Sequence, residues 1–133
     1  MTATIPETFL PLLESTAIAF VSTLGKHGEP QTTPLWFLWD GSSVQISLMA
    51  GRQKLRNLQR DPRIAVVIAN PAEPTWYIEL RGHVDALVED PERDLERRIA
   101  IKYVGHDVDI EEPGTMRYAT RIVVEKITSQ AGI

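Results

Sequence analysis

The chain has 133 residues, of which 43% are hydrophobic and 24% are charged, a composition typical of a single globular domain. The net charge of −4 argues against nucleic acid as a partner, and the absence of cysteine excludes disulfides, thiolate metal sites and a cysteine nucleophile. Because no apolar run approaches the roughly 18 residues that span a bilayer and residues 1–7 lack the pattern of a secretory signal, we expect one cytoplasmic domain, residues 1–133, with no membrane partner.

The first part of the chain predicts one short helix and three strands. Residues 6–15 place their apolar side chains on one helical face, and residues 16–24 form an apolar, β-branched stretch typical of a buried strand. Turns at residues 25–30 and 40–42 lead to strands at 31–39 and 44–49. Pro34 cannot donate a strand hydrogen bond. It should therefore mark a sheet edge, a bulge or a place where a ligand lies against the backbone.

The second part predicts three further strands and a longer helix. They are a continuous apolar strand at 64–69, a long strand at 75–88 bent near Gly82, a helix at 91–104 and a last strand at 120–127. An acidic loop precedes the last strand. Because the early strands are joined by tight turns without intervening helices, the pattern predicts a mainly β protein. We expect a six-stranded antiparallel barrel with short peripheral helices.

Residues 51–63 form a basic segment directly after the third strand. It contains four arginines and one lysine among thirteen residues and reads as a helix that Pro62 stops. A helix N-terminus with Arg52 and Lys54 in its first turn is a candidate phosphate or carboxylate site. The alternative is a solvated amphipathic helix whose leucines pack inward.

Other chemistry finds little support. The three histidines stand apart, no Gly-x-Ser-x-Gly elbow or Gly-x-Gly-x-x-Gly loop occurs, and His106, Asp109 and Glu111 share one loop without a second histidine. We therefore expect no metal site. The aromatic residues of two strands are either core and dimer packing or walls for a planar ring. They are Trp36, Phe37, Trp39, Trp76 and Tyr77.

Together, these features resemble the FMN-binding split β-barrel, or pyridoxamine 5'-phosphate oxidase-like, superfamily. Within it, the chain is most similar to the deazaflavin (coenzyme F420)-dependent reductases. The resemblance runs from about residue 7 to residue 127. It covers IAFVSTLGKHGEPQTTPLWFLWDG, SVQISLMAG, the basic R-x-K-x-R-N-L-x-R-D-P-R and WYIELRGHVD. The basic segment in this position is its most specific part.

The resemblance implies a six-stranded antiparallel split β-barrel that forms a homodimer with cofactor sites at the interface. It assigns the cofactor phosphate to Arg52 and Lys54, and places Asn57 near the phosphate or the ribityl chain. Arg56 could follow a longer anionic tail, and Trp76 would belong to the groove wall, either of this subunit or of the partner. The strands that would flank the ring contribute Thr32, Thr33, Pro34, Leu35, Trp36, Ser47, Leu48 and Met49.

The expected function is an oxidoreductase that transfers hydride between F420 and a small conjugated or aromatic acceptor, such as an enone or quinone. An FMN-dependent oxidase or flavin reductase of the same fold is the first alternative. A protein that binds or carries a cofactor without turnover is the second. No residue stands out as a proton donor, so the catalytic residues stay unassigned. Solvent, or a side chain such as Tyr77 or His83, is the candidate source of the proton.

Overall fold

The computed structural model describes residues 2–108 and 114–132. A 3₁₀ turn at Glu7–Phe9 continues into helix α1 (Leu10–Glu14), and the other helices are α2 (Gln53–Arg60) and α3 (Asp94–Val104). The eight strands are β1 (Ala19–Leu24), β2 (Pro30–Leu35), β3 (Leu38–Trp39), β4 (Val44–Met49), β5 (Arg63–Asn70), β6 (Glu73–Val84), β7 (Val88–Glu89) and β8 (Arg117–Ala131).

All strand pairs are antiparallel and belong to one curled sheet with the order β2-β1-β5-β6-β8-β4-β3, while β7 pairs with β8. This confirms the mainly β split barrel with peripheral helices, although the described residues contain eight strands rather than six. Strand β2 pairs with β1 alone and lies at one end of this order. Pro34 therefore marks a sheet edge, one of the three roles that the sequence allows it.

The concave face of the sheet and two helices enclose the core. Alternate residues of β1, β4 and β5 point inward and are almost fully buried, as the period of two requires. Helix α1 adds Leu12 and Leu13, and helix α2 adds Leu55 and Leu58. A single apolar core therefore supports both α2 and the strands beside it.

The single strand predicted at residues 31–39 is wrong, because the chain breaks between β2 and β3 at Trp36 and Phe37. Phe37 is fully buried, and its backbone is bound by side chains of α3 rather than by a neighbouring strand. Its N–H donates to the Tyr103 hydroxyl (3.4 Å), and its carbonyl oxygen accepts from Lys102 Nζ (3.0 Å). These partners come from about 65 residues further along the chain, so no local pattern indicates the break.

Several other boundaries differ from the sequence prediction. Strand β6 ends at Val84 rather than at residue 88, although the bend near Gly82 is confirmed by a shift in register there. Helix α3 begins at Asp94 because the Asp90 carboxylate accepts from the N–H groups of Asp94 (2.9 Å) and Leu95 (3.0 Å). The last strand is longer at both ends than residues 120–127.

Candidate functional site

Two adjoining cavities lie between the edge strand β2, strand β4 and the helices α2 and α3. The first, the cation cavity, has a volume of about 320 Å³. The second, the apolar cavity, has a volume of about 240 Å³. Leu35, Ser47 and Arg117 line both cavities, so together they form one continuous groove. The cation cavity is lined by Thr33, Pro34, Leu35, Ser47, Leu48, Met49, Arg52, Lys54, Leu55 and Arg117.

The cations enter the groove through the turn between β4 and α2. Gly51 has a positive φ of 88°, a conformation that costs glycine little and lets the chain reverse directly after the strand. Arg52 follows in an extended conformation at the N-cap of α2. The helix then buries Leu55 and Leu58, which directs Lys54 towards the cation cavity.

Arg52 and Lys54 carry charge that the protein does not neutralise. Within residues 2–108 and 114–132, neither side chain has an ion pair or a hydrogen bond with another residue. Burial and the neighbouring Arg52 guanidinium both lower the pKa of the half-buried Lys54. The negative charge of an anion bound between the two would raise the Lys54 pKa again, so this end of the groove can accommodate an anionic group.

The other cations of the basic segment are engaged elsewhere or exposed. Arg56 donates to the carbonyl oxygen of Gly51 (2.7 Å) and to Gln53 Oε1 (2.8 Å), and Arg63 pairs with Asp61 (2.7 Å). Arg60 is exposed in the last turn of α2 and does not line the groove. The segment therefore divides into two cations that face the groove and three that do not.

Two hydroxyl groups in the cation cavity lack a hydrogen-bond partner. Thr33 Oγ1 and Ser47 Oγ are shielded from solvent, yet no other described atom is within hydrogen-bonding reach of either. A buried hydroxyl without a partner costs free energy, which a bound ligand or water would recover. The pair lies on the two strands that the sequence predicts beside a cofactor ring.

The apolar cavity is formed where α3 packs over the break between β2 and β3. Its lining includes Leu35, Trp36, Ile99 and Ala100. Trp36 remains 38% exposed and stacks on Tyr103, with ring centroids 4.8 Å apart and planes 4° apart. Such a wall suits a flat, apolar group. On the wall shared with the cation cavity, Arg117 pairs with Glu96 (3.1 Å).

Most of the thirteen residues expected in the site meet in this groove. Eight line the cation cavity and Trp36 lines the apolar one. The other four line neither cavity. Thr32 bonds Ser22 on the opposite face of β2, and Trp76 lies on β6 opposite Ala131. Both remaining residues belong to α2: Arg56 folds back on the helix, and Asn57 is buried on its inner side. The roles of all thirteen stay predictions.

Sequence reasoning missed the residues that α3 and β8 bring to the groove. Arg117 was overlooked because the last strand was predicted to start three residues later, and Ile99 because it belongs to the apolar face of the predicted helix. Glu96 and Ala100 of α3, Val108 of the loop after it and Leu55 of α2 complete the missed set. The only local signal was the apolar periodicity of α3, which does not distinguish a core face from a cavity wall.

Other candidate groups stand apart from the groove. Tyr77 and His83 lie on β6 and line neither cavity, and His83 Nδ1 is bound to Glu125. Over the described ranges, no three histidine, aspartate or glutamate side chains cluster in a way that could hold a metal ion. Asp109 and Glu111 of the acidic loop lie outside the described residues.

A family model described as pyridoxamine 5'-phosphate oxidase matches residues 5–131. The chain belongs to this family. Among solved structures, one named F420 reductase is 28% identical, with a TM-score of 0.86, and the match covers 95% of this chain and 100% of that one. The conserved hypothetical protein Rv2991 from Mycobacterium tuberculosis is 20% identical, with a TM-score of 0.78 and coverage of 98% and 86%. HupZ of Group A Streptococcus is 17% identical, with a TM-score of 0.69 and coverage of 98% and 99%.

These likenesses confirm the superfamily expected from the sequence and indicate an oxidoreductase related to flavin and deazaflavin enzymes. The two structures below 25% identity support the fold alone. A search of curated proteins finds no match. No helix among the described residues is long and apolar enough to cross a membrane.

Proposed function

We propose that this protein is an F420-dependent oxidoreductase that transfers hydride between the deazaflavin cofactor and a small conjugated or aromatic acceptor. The observation that carries the proposal is the groove itself. One end offers Arg52 and Lys54 without counter-ions beside the unpartnered hydroxyls of Thr33 and Ser47, and the other end is apolar and aromatic. A cofactor whose anionic tail is bound at the cation end would bring its planar ring to the edge of the apolar end, which is left for the acceptor.

The residues present fit such a group. Arg52 and Lys54 would neutralise its phosphate, because charge-assisted hydrogen bonds to phosphate are the strong ones. The hydroxyls of Thr33 and Ser47 would bind polar atoms of the cofactor and so lose the cost of lying buried without partners. The likeness to a solved F420 reductase supports F420 as the cofactor.

The chain's own contribution to the reaction is to bind, orient and exclude water. When bound, reduced F420 supplies the hydride, and the chemistry of that step belongs to the cofactor. Leu35, Trp36 and Ile99 provide a dry, flat wall for an acceptor beside the ring. On the wall that both cavities share, the positive charge of Arg117 is compensated by its ion pair with Glu96. Among the described residues, no histidine or tyrosine lines either cavity, and we propose solvent as the proton source.

FMN is the second candidate cofactor, and one observation favours it. Two unneutralised cations suffice for the single terminal phosphate of FMN, whereas F420 carries a phosphodiester and an oligoglutamate tail. Parallel titrations of the purified protein with FMN and F420 decide between them. We expect F420 fluorescence to be quenched at lower ligand concentration than FMN fluorescence. A yellow protein that retains FMN and does not respond to F420 would contradict the proposal.

Turnover separates an enzyme from a carrier. Reduced F420 should be oxidised by at least one member of a panel of quinones, enones and nitroaromatics when the protein is present. Tight F420 binding without oxidation across the panel would instead indicate a protein that stores or carries the cofactor.

We also propose that the working form is a homodimer with a cofactor groove at each side of the interface. Phe20 is 46% exposed on the outer face of β1 and pairs in register with Val67, so this face presents apolar side chains to its surroundings. Light scattering after size-exclusion chromatography should give twice the mass of the chain. A stable monomer at micromolar concentration would rule out a shared groove.

A further inference from the structure

Asn57 has a fully buried polar side chain near the groove, but it does not line either cavity. Only 1% of the residue is exposed, and its side chain points beneath α2 rather than into either cavity. Only three polar residues are buried in the described part of the chain, and one of the other two, Thr23, bonds Asn57 directly. Hydrogen bonds between buried polar side chains make the surrounding structure rigid and favour one arrangement of it.

The side-chain amide of Asn57 connects α2 to β1 and β2 by hydrogen bonds. Its Nδ2 atom donates to Thr23 Oγ1 on β1 (3.0 Å) and to Gln31 Oε1 on β2 (3.4 Å). Its Oδ1 atom accepts from Gln53 Nε2 in the first turn of α2 (2.7 Å). Each polar atom of Asn57 therefore has a partner, and the partners come from separate parts of the fold.

Both walls of the cation cavity are tied to this amide. Gln31 and Thr33 are alternate residues of β2, so their side chains lie on the same face of the strand. Gln53 stands between Arg52 and Lys54 in sequence. Asn57 is thus bonded to the strand that presents the Thr33 hydroxyl and to the helical turn that presents the two cations.

Among the described residues, no other hydrogen bond joins α2 to β1 or β2. Strand β2 pairs with β1 alone, and α2 has eight residues, too few to be stable as an isolated helix. The packing of Leu55 and Leu58 holds α2 against the core, but apolar contact is not directional and would allow the helix to slide or rotate. Directional hydrogen bonds from a buried amide prevent that movement.

We propose that Asn57 is a positioning residue that makes no contact with the cofactor and holds α2 and β2 at the separation at which the two cations and the Thr33 hydroxyl meet one ligand. This inference rests on the proposed function for the identity of the ligand. It differs from the role near the phosphate that the resemblance implies for Asn57. The separation of α2 and β2 can be tested without the cofactor.

The decisive variants are Asn57→Leu and the double variant Asn57→Leu with Thr23→Val. The single variant leaves the buried Thr23 Oγ1 without its hydrogen-bond partner. The double variant replaces both buried partners by apolar groups, which restores most of the lost stability. Stability and positioning therefore separate. We expect the single variant to bind F420 at least about tenfold more weakly, and the double variant to recover its denaturation midpoint but not its affinity.

Lys54 reports the position of α2 without any ligand. With its lysines carrying ¹³C-methyl labels, NMR titration should find the pKa of Lys54 closer to 10.5 in both variants than in the parent, because a displaced helix exposes the ammonium to water. The matched control is Thr120→Val, which removes another buried hydroxyl contact, to the Asp85 carbonyl oxygen (3.2 Å). It should lower stability and leave both the Lys54 pKa and F420 affinity unchanged.

The outcomes are distinct. Recovery of affinity together with stability in the double variant overturns the proposal, as does loss of affinity with an unmoved Lys54 pKa, which would indicate direct contact with the ligand. If the single variant does not fold, the double variant and Gln31→Met, which cuts only the bond to β2, carry the test through affinity. If the parent itself does not bind F420, the proposed function fails, and the Lys54 titration still decides whether Asn57 positions the helix.

Discussion

The two ends of the groove are built in opposite ways. Most of the cation end, including both of its unpaired cations, comes from one contiguous segment, in which β4, the Gly51 turn and the start of α2 follow each other directly; β2 and Arg117 complete its lining. The apolar end is assembled from the β2–β3 break and from α3, which lie about 65 residues apart in sequence and meet through Trp36, Tyr103 and Phe37. We therefore expect the cation end to determine the affinity for the cofactor and the apolar end to determine which acceptor is used.

The largest effect should come from removing charge at the cation end. Lys54→Ala deletes one of two unneutralised cations, and a charge-assisted phosphate contact is worth on the order of 1.5–3 kcal/mol. We expect F420 binding to weaken by about ten- to a hundredfold in a fluorescence titration, with the denaturation midpoint unchanged.

Arg56→Ala is the matched control, because Arg56 belongs to the same helix but is bonded to Gly51 and Gln53 and does not line the groove. Its affinity should stay within about twofold of the parent. Equal losses in the two variants would show that the helix attracts anions through its overall charge and not through a defined site.

Filling the apolar end should affect turnover rather than binding. Ala100 is buried on α3 and lines the apolar cavity, so Ala100→Leu occupies space that an acceptor would need. We expect kcat/KM for the acceptor to fall by about tenfold while F420 affinity changes little. Ile101→Leu, on the exposed side of the same helix, should change neither. A loss of F420 affinity in Ala100→Leu would place the cofactor ring, not the acceptor, in this cavity.

The same contrast explains which parts of the site could be predicted from the sequence. The cation end was recognisable because a run of charges after a strand is a local signal, and Arg52 and Lys54 do line the cavity. The apolar end was not, because Ile99 and Ala100 have the same periodicity whether they face a core or a cavity. The resemblance implies a place near the phosphate or the ribityl chain for Asn57, and that role stays a prediction. The structure buries its side chain on the inner face of α2, where its bonds to Thr23 and Gln31 are visible only in the tertiary structure.

The scaffold behind the apolar end depends on Tyr103. Its hydroxyl donates to the Ala17 carbonyl oxygen (2.7 Å) and accepts from the Phe37 N–H, while its ring stacks on Trp36. Tyr103→Phe keeps the stack and removes both hydrogen bonds. It should lower the free energy of unfolding by about 1–2 kcal/mol and leave F420 affinity unchanged. Weakened F420 binding would mean that the two ends are coupled.

The smallest effect concerns Lys102, which lies 3.7 Å above the Phe37 ring in the same scaffold. Burial lowers its pKa from 10.5 to about 8. Below pH 8 the group is charged in both states and the folded protein bears the cost of burying the charge. Between pH 8 and 10.5 the folded form is neutral while the unfolded chain still binds the proton, so stability rises with pH across this window.

Because the side chain is only half-buried, solvent screening should limit this rise to about 1 kcal/mol. Urea unfolding at several pH values should detect it in the parent and find it absent in Lys102→Met, which keeps the apolar stem of the side chain. A parent whose stability falls relative to Lys102→Met over this range would show that the contacts of the ammonium with the Phe37 ring and carbonyl oxygen outweigh its burial. Lys102 would then stabilise the apolar end as a cation, and both ends of the groove would depend on positive charge.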